Sequence, residues 1–245
     1  MATNQQKPLH IGVLILPPVQ LLDISPIDLF GMLTPEYLTV CNLPAPLLAL
    51  SVPINITYIS PTGDSPALCT ANVGIRIDAS IASPDVAPGK LDILLIPGPE
   101  PSAVPAAPAL EFVRGHVENG ADLLNVCTGQ LVAAYAGVLD GRVATGPRGL
   151  LGRLRGEFRE VKWVERRWAR DGGVWTSGGV TNGQDMVAAY IRQRWPGPLA
   201  EVVCRLADVG DRGVEYEIGA VRENGFWLWQ ILRAGIAGLW KGKQA

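Results

Sequence analysis

Unbroken apolar runs alternate with stretches of helical spacing along most of this chain. Residues 10–16 (HIGVLIL) are apolar without alternation and stop at Pro17-Pro18, the pattern of a parallel strand covered on both faces. Residues 91–97 (LDILLIP) and 121–126 (ADLLNV), largely apolar, read as central strands too, residues 54–60 as a further strand, and 73–77, 161–164 and 174–176 as shorter ones. Ser25 and Pro26 supply a cap and first-turn pair for a short helix through Leu33, while 108–119, 130–137 and 182–195 carry helical spacing. Residues 35–53 are proline-rich and read as a loop with a short helical piece. The alternation predicts an α/β fold, a mostly parallel central sheet with helices on both faces and reactive groups at the carboxyl ends of its strands.

The pattern changes after Pro196. One helical segment, 199–209, leads into a glycine-rich acidic linker, 210–219, and then a tail in which Phe226, Trp227, Trp229, Ile231 and Leu232 crowd together. The chain therefore divides into a domain over 9–195 and a C-terminal helical extension over 196–245. So much apolar surface is costly in water, so the extension is expected to pack on the core or on a dimer partner. Residues 226–240 are interrupted by Gln230 and Arg233 and fall short of the roughly 20 residues a bilayer span needs, so no membrane anchor is expected.

With 245 residues, 48% of them hydrophobic, the chain builds a full core without staples. A net charge of −2 creates no general attraction for nucleic acid or an anionic membrane. The cluster Glu165-Arg166-Arg167, flanked by Trp163 and Trp168, reads as a solvated edge and not as a stacking platform. Cys41, Cys69, Cys127 and Cys204 are scattered, with no C-x-x-C pair and no cysteine–histidine spacing suited to zinc. That pattern predicts a reduced, cytoplasmic chain without a bound metal. The polar start, MATNQQKPLH, precedes an apolar run too short for a signal-peptide core.

Cys127 lies where the 121–126 strand turns into the 130–137 helix. Unpaired N–H groups and the macrodipole at a helix start favour a thiolate, so Cys127 is the candidate nucleophile, against the plain alternative of a small buried hydrophobe. The only histidines are His10, at a strand start, and His116, in a helix read as lying on the surface; neither is placed as a base for Cys127. Asp23 reads equally as a turn or cap carboxylate, Glu100 as a solvated loop acid, and Gly178-Gly179 as a tight turn allowing close backbone passage.

Four ordered blocks resemble the ThiJ/PfpI superfamily of the class I glutamine amidotransferase-like fold, on its isonitrile hydratase side. They are Val19-Gln20-Leu21-Leu22-Asp23, the run from Leu91 to Gly98, the run from Asn125 to Gly129 with the following Ala136 to Gly141, and the run from Arg170 to Asp185. The resemblance implies a flavodoxin-like three-layer sandwich, a homodimer, a nucleophile elbow at Cys127, and Asp23 reaching the thiol as general acid. Thr128 marks the subclass in which no histidine follows the cysteine. Gly98, Pro99, Gly129 and Gly178 then surround a small-molecule substrate, and no cofactor is called for.

The implied reaction is attack of the Cys127 thiolate on an isonitrile-like carbon, protonation by Asp23, and hydrolysis of the thioimidate to an N-substituted formamide. Backbone N–H groups of Gly98 and Thr128, with the Thr128 hydroxyl, are expected to steady the developing charge. The chain departs from its relatives in three places, one being the loop after Asp23, which lacks a Gly before Pro26. Pro97-Gly98-Pro99 replaces Pro-Gly-Gly and removes an N–H donor, and Ala144-Thr145-Gly146-Pro147 replaces Thr-Thr-His-Trp in a pocket wall. These changes leave open an enzyme repurposed for carbonyl compounds or small-molecule biosynthesis, or a cysteine oxidation sensor without turnover.

Overall fold

The computed structural model describes residues 7–241. Among these, seven strands form one sheet in the order Trp168–Asp171, Val174–Ser177, Asp122–Asn125, Ile93–Ile96, Leu9–Leu14, Ile54–Ser60, Ala79–Ser80. Every neighbouring pair is parallel except the first, which is antiparallel at the sheet edge.

Alternate residues of the central strands feed two separate cores. Ile11, Val13, Leu95 and Trp175 pack with Phe30, Tyr190 and Val203 on one face, and Leu14, Leu94, Ile96 and Leu123 pack with Phe112, Leu131 and Leu154 on the other. Burial on both faces is why these runs are unbroken in the sequence. Helices Ala107–Glu118, Gly129–Tyr135 and Asn182–Arg194 cover them.

Several short elements differ from expectation. The 73–77 strand shrinks to Gly74–Ile75 and pairs with Ala67–Leu68, outside the main sheet. Residues 161–164 shrink to Lys162–Trp163 and pair with Val143–Ala144 in another small ribbon. The proline-rich stretch holds two short helices, Pro35–Val40 and Ala45–Leu48; Thr34 caps the first by accepting a hydrogen bond from the Tyr37 N–H, with proline at the first turn.

His116 is not on the surface. It is fully buried, its Nε2 bonded to the Val86 carbonyl oxygen and its ring edge-on to Phe112. The helix Pro198–Leu206, assigned from sequence to the extension, buries Leu199, Ala200, Val203 and Cys204 in the first core. One compact unit consequently runs to Val214, and a second begins at Glu215. The second unit contains the 22-residue helix Ala220–Lys241.

Candidate active site

Three chain segments meet at the carboxyl ends of the central strands. The Asp122–Asn125 strand continues to Val126, whose N–H bonds to the Ile96 carbonyl oxygen at 2.9 Å. Cys127 then turns the chain with a φ of +55°, and Thr128 is the cap residue of the helix Gly129–Tyr135. A left-handed φ on a non-glycine residue costs about 1–3 kcal/mol and persists where the surroundings enforce it, as they do at functional elbows. Gly129 lets the helix start press against the Ile96 carbonyl, a space any Cβ would occupy.

The second segment is the Leu21–Ile24 turn, which carries Asp23 with no exposed surface. The third is the Pro97–Pro99 turn. Cross-links fix the three together: the Gln20 N–H donates to the Gly98 carbonyl at 3.3 Å, and the Thr128 hydroxyl donates to the Pro99 carbonyl at 2.6 Å. The Thr128 hydroxyl is therefore committed to holding the elbow and is not turned to a substrate. Pro99 lacks an N–H, yet its carbonyl serves as the anchor.

Asp23 and Cys127 face one another. Burial pushes the Asp23 carboxyl up from 3.8 to about 6, with the Cys127 thiol and the Gly98 N–H pulling it partly back. Neither carboxyl oxygen has a hydrogen bond of full geometry. The thiol is pushed up to about 12, first by burial, then by the nearby Asp23 charge; the backbone N–H groups of Thr128 and Val180, aimed at the sulfur, only partly oppose this.

This corrects the expectation of a resting thiolate. Desolvation together with a neighbouring carboxylate outweighs the start of a helix of only seven residues. The two groups titrate as a coupled pair, and both shifts favour keeping a proton within it.

Of the remaining residues singled out from sequence, Gly98 lies wedged between the Asp23 carboxyl and the Thr128 hydroxyl: a Cβ there would sit 2.5 Å from Asp23 Oδ2 and 2.5 Å from Thr128 Oγ1. Gly98→Ala should therefore displace the carboxyl, lowering stability by roughly 1–3 kcal/mol and turnover by roughly 100-fold, measured by thermal melting and steady-state kinetics. The N–H groups of Gly129 and Gly178 are spent on the Val126 and Arg167 carbonyls, so neither donates to a ligand. The N–H of Val180 does point into the site and was missed. Its only trace in the sequence is the glycine turn before the 182–195 helix.

Glu100 is exposed and bonded to the Ser102 hydroxyl. His10 binds Lys90 and Thr57 at the far end of the first strand. Glu165 forms an ion pair with Arg148 at 2.6 Å, Trp168 stacks on Trp175, and the Trp163 indole N–H donates to the Phe158 carbonyl, so this cluster is used internally. Among the described residues no group of three or more His, Cys, Asp or Glu is placed to hold a metal ion. A cavity of about 810 Å³ has Ser25, Thr181 and Gln184 in its wall, but Cys127 and Asp23 do not line it.

Comparison with known proteins gives the family and the fold. The pattern of the DJ-1/PfpI family matches residues 36–193, more than half of the chain. An isonitrile hydratase from Pseudomonas putida is 29% identical over 192 residues, covering 76% of this chain and 72% of that protein. The crystal structure of a ThiJ/PfpI family protein from Pseudomonas syringae superposes with a TM-score of 0.68 at 20% identity, covering 88% of this chain and 80% of that one. Drosophila melanogaster DJ-1beta superposes with a TM-score of 0.65 at 17% identity, covering 83% of this chain and 99% of its own. The fold is accordingly the flavodoxin-like sandwich.

Proposed function

The chain belongs to the DJ-1/PfpI family, and on that footing we propose that it is a cysteine-dependent hydratase converting a small isonitrile to the N-substituted formamide. The observation that carries this reading is the buried Asp23 carboxyl facing the Cys127 thiol on a strained elbow. The similarity to a Pseudomonas putida isonitrile hydratase supports the substrate class.

The reaction begins with Asp23 as carboxylate and Cys127 as thiol. As sulfur bonds to the isonitrile carbon, its proton passes to Asp23 and from there to that carbon, leaving a thioimidate. The carboxyl thus remains the group that protonates the substrate, having first served as base. The N–H groups of Thr128 and Val180 stabilise negative charge on sulfur while the S–H bond breaks. Water then adds across the C=N bond, putting hydroxyl on carbon and a proton on nitrogen. Collapse breaks the C–S bond, and Asp23 carries the hydroxyl proton back to sulfur.

Two other readings weigh less. A thiol held protonated at neutral pH resists peroxide, because oxidation proceeds through the thiolate, which tells against a sensor. A carbonyl substrate uses the same pair but lacks the support of the hydratase relative. Incubation with an aryl or alkyl isonitrile should give the formamide, identified by mass spectrometry. Untouched isonitrile with consumption of methylglyoxal would transfer the site to carbonyl chemistry.

A further inference from the structure

The helix Ala220–Lys241 turns Phe226, Trp227, Leu228, Trp229, Ile231 and Leu232 to solvent, each more than half exposed. Leu228, Ile231 and Leu232 follow one another at helical spacings of three and four, with Trp227 and Trp229 on their flanks. Arg222, Gln230 and Arg233, at i, i+8 and i+11, run along the other side, with Phe226 among them. The Trp227 indole N–H donates to Glu223 at 2.9 Å, occupying the one acid of this segment.

Charge is distributed just as unevenly. From residue 220 onward the sequence has Arg222, Arg233, Lys241 and Lys243 against Glu223 alone, a net +3, so residues 1–219 carry −5 of the chain's total of −2. The chain-wide value, which excludes a general attraction to anionic membranes, conceals this local excess.

We propose that this helix lies in the headgroup layer of an anionic phospholipid surface, with its Leu, Ile and Trp side chains toward the acyl chains and its arginines toward the phosphates. Among the described residues no helix is long and apolar enough to cross a membrane, and Gln230 and Arg233 interrupt this one. A broad apolar face with flanking indoles and a basic opposite side is instead what an interfacial helix requires. Charge disfavours tail-to-tail pairing, since a second copy's tail would bring another +3 to the same place, whereas anionic headgroups complement it.

The test is co-sedimentation of the full-length protein with vesicles of phosphatidylcholine alone or mixed with phosphatidylserine, followed also by the tryptophan emission maximum. Binding should appear with the mixed vesicles, accompanied by a blue shift, and weaken as salt is raised. Arg222→Glu/Arg233→Glu should reduce it by roughly tenfold or more, and Ile231→Asp/Leu232→Asp should abolish it. No binding to the mixed vesicles, or equal binding to both compositions, overturns the proposal. So does a dimer in light scattering that Ile231→Asp/Leu232→Asp converts to monomer without any wild-type vesicle binding, which gives the face to a second copy. Should either variant fail to fold by circular dichroism, the wild-type comparison of the two vesicle compositions decides alone.

Discussion

Cys127→Ala should lower formamide production from an isonitrile by roughly 10,000-fold or more, with the folded chain intact. Removing a covalent nucleophile eliminates the pathway itself, and the surviving site can only bind. The fold should tolerate the change because alanine and cysteine meet the same backbone strain at a φ of +55°. Cys127→Ser keeps a hydroxyl facing Asp23 and should be nearly as inactive, since an alcohol is a far weaker nucleophile than a thiol. Turnover by either variant near the wild-type rate would remove Cys127 from the chemistry.

Asp23→Asn should be inactive and yet more stable than the wild type at neutral pH. The carboxyl rises from 3.8 to about 6 on folding, so between these values the native state binds more protons than the unfolded one. Stability therefore falls as pH rises through this window, and the cost is complete above the folded value. A shift of that size corresponds to about 3 kcal/mol as an upper figure. The uncharged amide avoids the cost, so the variant's advantage in denaturant unfolding should be near zero below about pH 4 and largest above about pH 7. Wild-type turnover should rise through about pH 6 as the carboxylate forms. Equal stability of the two proteins at all pH values would mean that Asp23 is not held in an ionised, desolvated state.

The sheet was legible because its central strands are buried on both faces, which leaves unbroken apolar runs that no solvent-facing strand shows. The Cys127 elbow was legible for a related reason, a buried strand running straight into an alanine-rich helix. Asp23 could be joined to it only through family resemblance, because a single acid ahead of a Ser-Pro helix start looks like any turn residue. The Val180 N–H was invisible, since a backbone donor carries no side-chain signature. Thr128 had the right position but the wrong partner: whether its hydroxyl faces a substrate or the Pro99 carbonyl depends on how two distant loops approach. The thiol's protonation is not legible in the sequence, because helix starts can be read from it whereas burial beside a carboxylate arises from tertiary packing. The same applies to the edge strand Trp168–Asp171, whose identity rests on its antiparallel neighbour.

The most direct test is an ultraviolet titration of the Cys127 thiolate, taken as the difference between wild type and Cys127→Ala. Almost no thiolate should be seen at neutral pH, with ionisation displaced toward about 12 in the wild type and moved downward in Asp23→Asn, where the opposing charge is gone. A wild-type thiol already ionised at neutral pH, or one indifferent to residue 23, would contradict a shared proton between sulfur and carboxyl.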